Sequence, residues 1–267
     1  MLSSGDIQNF RQNLQNRDFL LAVSAGLVEG VSLQTKFGYR DALSTTGVIW
    51  AGPSNDYIFP VSGGQSIEVV SDNVGDTGDI EIVGNIVSSD SEIKVTVTLN
   101  GLTPVAVPNT DWIATNRAYN DTDTDYLGNI SIRGTGTPNS NVFAYIPVGD
   151  GQTQQLPYML PANRVGLLVA TKTWLNRTQG QTASCISKFF VKKENKVFRN
   201  RFRFGLQRDG NSENEVILPL SRPIPPSAQI KIESTPSVEL DLSGIYQLVL
   251  IDTDLIEPDY LQQIIAS

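Results

Sequence analysis

The sequence predicts an all-β protein: two antiparallel, jelly-roll-like β-sandwich domains with an N-terminal helix and a short C-terminal helix. Two observations carry that reading. From Val48 onward apolar residues recur at every second position, most clearly where Ile93, Val95, Val97 and Leu99 alternate with Lys94, Thr96, Thr98 and Asn100. Such a run gives a strand one apolar and one polar face. Clusters of Gly, Asp and Asn then interrupt these runs at short intervals, as the turns of a sandwich require.

Each element follows from local pattern. Ser3 and Asp6 have capping-box-like spacing, and Ile7, Phe10, Leu14 and Leu21 recur at helical intervals before Gly26, so a helix is expected to end there. Its other side is rich in amides (Gln8, Asn9, Gln12, Asn13). Two uses are open: packing on its own domain, or docking as an arm on a neighbouring subunit. Leu27 to Leu43 reads as an extended connector. Period-two runs then place strands at Ile67–Ser71, Ile80–Val83, Ile93–Leu99, Trp112–Tyr119, Asn129–Arg133 and Val142–Pro147. Gly149-Asp150-Gly151 is the clearest internal boundary. Beyond it, strands are expected at Gln154–Leu160, Val165–Leu175, Cys185–Lys193, Val197–Leu206, Glu215–Leu220, Gln229–Glu233 and Tyr246–Ile251. Pro223, Pro225 and Pro226 mark a rigid corner, and Pro258 opens a terminal helix through Ile265. The expected organisation is an arm over 1–44, a first sandwich over 45–148 and a second over 149–267.

Composition narrows function. The 267 residues carry a net charge of −8 and no histidine. The commonest general base and metal ligand is therefore missing. Cys185 is the only cysteine, which leaves no intrachain disulfide or thiolate zinc cluster. The overall charge opposes nucleic-acid binding. Phe19 to Val23 is too short for a signal-peptide core, and no run reaches transmembrane length.

Four groups of residues bear on possible sites. Asp121, Asp123 and Asp125 alternate in a loop that opens like an EF-hand, but Tyr126 stands at the position that requires Gly and Ile132 at the position of the closing Glu. A solvated acidic turn is the favoured reading, with Ca²⁺ binding as the alternative. Lys188 to Arg208 holds eight cations against Glu194 alone, a local charge of +7 that leaves −15 on the rest of the chain. Arg199, Arg201 and Arg203 alternate with Asn200, Phe202 and Phe204, so a cationic ladder backed by an aromatic face is expected, with the turn near Glu194–Lys196. Stacked arginines need carboxylates or phosphates opposite. The candidate interface is therefore Arg199, Arg201 and Arg203 with Lys192 and Lys193, together with Ile7, Phe10 and Leu14 of the helix. Serine or cysteine catalysis lacks its usual base, although a carboxylate pair for glycoside cleavage stays open. Gly63-Gly64 and Gly134–Gly136 are hairpin glycines; no Walker-type Lys-Ser/Thr follows them.

The chain also carries segments in a fixed order: Leu27 to Gly38 ending in Lys36-Phe37-Gly38, Val48-Ile49-Trp50-Ala51-Gly52, Ile67-Glu68-Val69-Val70-Ser71, Asp76-Thr77-Gly78 and Val95 to Val105. Asn116-Arg117-Ala118-Tyr119, Gly128-Asn129-Ile130, Gly149 to Thr153 and Leu160-Pro161-Ala162 follow. In this order they resemble a family of virion structural proteins of tailed phages, marine and cyanobacterial ones in particular, of the external head-decoration or neck and tail accessory type. The resemblance spans most of residues 27–252; the N-terminal helix and the short loop at Asp76 depart from it. It implies a non-enzymatic protein of the virion, assembled in the host cytoplasm, that contacts other virion proteins and copies of itself. No cofactor, nucleic acid or membrane is implied. A receptor- or glycan-binding fibre module, for which an exposed Trp112 or Trp174 would speak, is the alternative. A polysaccharide depolymerase comes third.

Overall fold

The computed structural model describes residues 17–136, 141–176, 183–208, 213–217 and 222–266. They form two antiparallel β-sandwiches with a helix near each end of the chain.

Helix α1 (Arg17–Ser24) stops where the sequence places its end. Gly26 takes a positive φ of 71°, its N–H donates to Val23 O, and the Leu27 N–H donates to Ala22 O. That pair of bonds is a Schellman motif, which a glycine accommodates without strain. The helix docks through Phe19, Leu20 and Val23 on its own domain, whereas Leu21 is 60% exposed. Ile7, Phe10 and Leu14 lie outside the described residues.

The expected connector is a strand. β1 (Val31–Leu43) pairs along its length with β16 (Leu240–Asp252). Binary pattern hid it: Lys36 is buried and Phe37 is 43% exposed, the reverse of the usual order. β2 (Gly47–Val48) also joins the C-terminal sandwich, through β15 (Gln229–Pro236). Residues 31–48 therefore belong with the second sandwich rather than with an arm.

The first sandwich sits between β2 and the rest of the second. One sheet has the order β6-β3-β8-β9, made of β3 (Ile67–Ser71), β6 (Val105–Ala106), β8 (Ile130–Gly134) and β9 (Val142–Ile146). The other is β5-β4-β7, made of β4 (Asp79–Ile86), β5 (Ile93–Thr98) and β7 (Trp112–Asn120). The alternating residues meet between them: Ile80, Ile82 and Val97 face Ile67, Val69, Ile130 and Ile132, and Trp112 and Phe143 fill the remaining width. β7 bulges against β4 at Asn116, opposite Val83 and Gly84, and a Cβ at Gly84 would stand 2.1 Å from Ala114 O.

In the second sandwich one sheet runs β1-β16-β11-β14, with β11 (Arg164–Asn176) and β14 (Glu213–Ile217). The facing sheet runs β10-β15-β12-β13, with β10 (Tyr158–Met159), β12 (Ala183–Lys192) and β13 (Arg199–Arg208). Except for the β12–β13 hairpin, consecutive strands from β10 onward change sheet, as in a jelly roll. β16 is buried on both faces. Tyr246, Leu248 and Leu250 enter the sandwich core, while Val249 and Ile251 lie under α1 and helix α2 (Pro258–Ala266). This explains the unbroken apolar run from Leu248 to Ile251. Among the described residues no helix is long and apolar enough to cross a membrane.

Because both faces of β16 are covered, Leu248→Ala and Ile251→Ala should each cost about 2–5 kcal/mol. Urea denaturation checks this; a near-neutral Ile251→Ala would mean that the helices do not cover the outer face.

Candidate interaction surface

The two sandwiches meet at a polar joint. Asn116 on β7 accepts from the Met159 N–H (2.9 Å) and donates to Met159 O (3.0 Å) and Glu92 Oε1 (2.7 Å). Its backbone carbonyl accepts from Lys36 Nζ. Gln155 Nε2 donates to Thr115 O at 2.8 Å, and Asn85 Nδ2 donates to Met159 O and Leu160 O. Tyr57 donates to Phe143 O at 2.7 Å. Burial pulls the Lys36 ammonium down to about 8, with Glu92 opposing that shift and Arg117 adding to it. Burial likewise raises the Glu92 carboxyl. None of these side chains was singled out as functional from sequence, although Lys36 and Asn116 both sit in segments of the family resemblance.

Beside the joint lies a cleft of about 190 Å³. Its walls include Asn85, Ile113, Met159 and Gln229 and the hairpin residues Lys192 and Lys193. Asn85 Oδ1 and Gln229 Oε1 are buried without a hydrogen-bond partner. Both donors of the Asn85 amide are engaged on Met159 and Leu160, which fixes its oxygen as the free acceptor.

The basic hairpin is built as expected in its turn and aromatic face. Asn195 has φ 54°, and the Lys196 N–H closes the turn on Lys193 O at 3.1 Å. Phe202 stacks on Phe189 with centroids 5.0 Å apart, and Phe204 is buried. The cationic ladder differs. The register slips between Phe189 and Phe190: Phe189 pairs with Phe202, but Phe190 pairs with Asn200, leaving Arg201 as the extra residue of a bulge. Directly opposite residues share a face. Arg203 therefore stands beside Lys188, whereas Arg199 stands beside buried Val191. The bulge turns a three-rung ladder into a cluster, since an inserted residue re-aims the side chains that follow it.

That cluster lines a cavity of about 320 Å³ walled by Val191, Lys193, Lys196, Arg199 and Arg201 and closed by Ile265 and Ala266 of α2. Lys193 Nζ donates to Ile265 O at 2.8 Å, a favourable place for a cation at a helix C-terminus. Partial burial, then the charges of Arg201, Arg199 and Lys196, lowers the Lys193 ammonium. Burial, then Arg222 and Arg199, lowers the Arg201 guanidinium. Among the described residues no carboxylate pairs with Lys193, Lys196, Arg199 or Arg201. Lys192 is different, lying 5.8 Å over the Phe198 ring. Arg222 and the α2 terminus join the cluster only through the fold. β13 is the outermost strand of its sheet, so the cluster sits at an edge.

Asp121, Asp123 and Asp125 are exposed. Asn120 shapes their loop by accepting from the Thr122 N–H (2.9 Å) and donating to Thr124 O (2.7 Å). Among the described residues no group of three acidic or thiol ligands is placed to hold a metal ion. Trp112 is fully buried, with its indole N–H on Pro108 O at 2.8 Å, so it offers no open stacking surface. Trp174 is half-buried beneath Lys172, 5.2 Å from its ring.

No protein-family model matches the chain, and no curated protein matches it. Solved structures with a distant likeness come from infectious bursal disease virus. The VP2 subviral particle has TM-score 0.22 and 11% identity, covering 84% of this chain and 73% of that one. The Gt strain structure has TM-score 0.20 and 11% identity, covering 88% and 83%. At such scores the likeness carries no argument about role.

The joint gives a pH test. A lysine whose folded pKa lies below its unfolded value binds fewer protons when folded, so stability rises with pH between the two values. With the Lys36 value near 8 against an ordinary 10.5, the protein should gain about 2 kcal/mol between roughly pH 8 and 10. Lys36→Met should flatten that rise in urea titrations; an unchanged slope would mean that Lys36 is not held in the dry joint.

Proposed function

We propose that this chain is a non-enzymatic structural protein of a tailed-phage virion, assembling on the particle exterior as a head-decoration or neck and tail accessory protein through protein–protein contacts. The ordered family segments support the virion; one observation supports the contact. Four cations crowd one edge cavity, two of them (Lys193 and Arg201) partly desolvated, without a carboxylate among the described residues. Bringing like charges together in a half-dry site is unfavourable unless an anionic group arrives. An assembling partner supplies one, and a repeated array lets individually modest contacts hold firmly. Arg203 lies farther along the same edge strand, and Lys192 lies on the neighbouring β12.

The cleft at the joint favours a second reading, a receptor- or glycan-binding module. A small cleft lined by two amide side chains, Asn85 and Gln229, whose carbonyl oxygens lack a donor suits a hydroxyl-rich ligand. A glycan array on the purified protein tests that reading; specific binding abolished by Asn85→Leu would support it.

For the primary reading, Arg201→Glu should abolish incorporation into particles in a complementation assay while leaving the melting temperature of the purified protein unchanged. Normal incorporation of the variant would overturn the assignment.

A further inference from the structure

The cationic cavity has a matching anionic feature on the same chain, at a distance that forbids them to meet within one molecule. The Asp121 N–H donates to Asp79 O at 3.1 Å, which anchors the acidic loop at the Asp79 end of β4. The basic hairpin borders the joint cleft beside Asn85, Ile86 and Val87, at the other end of that strand. The eight residues of β4 span on the order of 25 Å. The loop points three exposed carboxylates outward, and none forms an ion pair with a described residue. It is shaped in advance by Asn120 and Thr122, so ordering it on a partner costs little.

We propose that the cavity of Lys193, Lys196, Arg199 and Arg201 receives the Asp121–Asp125 loop of a second copy of this chain. This rests on the interface reading above and names its partner. Alternating carboxylates on a narrow loop suit a pocket whose cations line several walls, where the planar arginine forks can take one oxygen pair each. The two patches lie on different sandwiches, so the contact is head-to-tail: each copy offers a loop to one neighbour and a cavity to the other. Such contacts close into a ring or extend as a filament, according to the rotation between copies. The segregation of +7 in the hairpin from −15 elsewhere then serves assembly, steering copies into one relative orientation.

Sedimentation of the purified full chain tests this with two sets of charge reversals. One is Arg199→Glu with Arg201→Glu; the other is Asp121→Lys, Asp123→Lys and Asp125→Lys. The wild-type chain should self-associate at low salt and dissociate near ~1 M salt, where screening acts over about 3 Å. Each set alone should weaken association at least about tenfold, and mixing the two variants should restore it. Thermal melts identify a variant that has lost its fold; Arg199→Gln with Arg201→Gln then replaces the first set. A wild-type chain that stays monomeric overturns the proposal. So does a loop reversal without effect while the cavity reversal abolishes association; that result would leave the interface reading intact and assign the cavity to another partner. Association that neither set changes overturns both.

Discussion

Asn116 holds the two sandwiches in one arrangement. Its side chain bonds Met159 in both directions and reaches Glu92, while its carbonyl takes Lys36 Nζ from β1. Strands that lie before, within and after the first sandwich thus converge on one residue. Each bond at such a site contributes about 1 kcal/mol net, but a buried donor or acceptor left unmade costs more. A polar joint of this kind therefore specifies one docking geometry more sharply than an apolar one could. Nearby, Trp50, Tyr57 and Phe59 meet edge to face, with Trp50 and Tyr57 centroids 5.1 Å apart.

That fixed geometry gives the charge distribution its direction. With the sandwiches locked, the acidic loop and the basic hairpin are held at opposite ends of β4 and cannot neutralise one another. A flexible link between domains would let them meet. The bulge at Arg201 acts alongside the joint, gathering Arg199 and Arg201 with Lys193 against the end of α2 instead of leaving them spread on a flat face. Charged residues on an edge strand also guard against unspecific strand pairing, so the same residues discourage wrong contacts while favouring an acidic one.

Much of the fold was legible because strands with one dry face declare themselves by alternation. The run from Ile93 to Leu99 is such a case, with Val97 and Leu99 buried and Lys94, Thr96 and Thr98 exposed. Gly26, the hairpin turn at Glu194–Lys196 and the helix after Pro258 were readable for equally local reasons. β1 was not, because its inward residue at the joint is a lysine and its outward neighbour a phenylalanine. The cationic face was legible as composition, but its shape was not. A bulge depends on how two strands pair, and no local signal in Arg199–Phe204 announces it. Ile265 reaches the cavity, and Arg222 comes close enough to act on Arg201, only through tertiary packing. The burial of Trp112 and the absence of a three-ligand cluster among the described residues around Asp121–Asp125 depend likewise on contacts far apart in sequence.

The most direct test of the central claim, that the cationic edge is an assembly contact, is a cryo-EM map of the particle that carries this chain. Density from an acidic segment of a neighbouring subunit within hydrogen-bond distance of Arg199 and Arg201 is the expected result. A map in which that edge faces open solvent on every copy would contradict it.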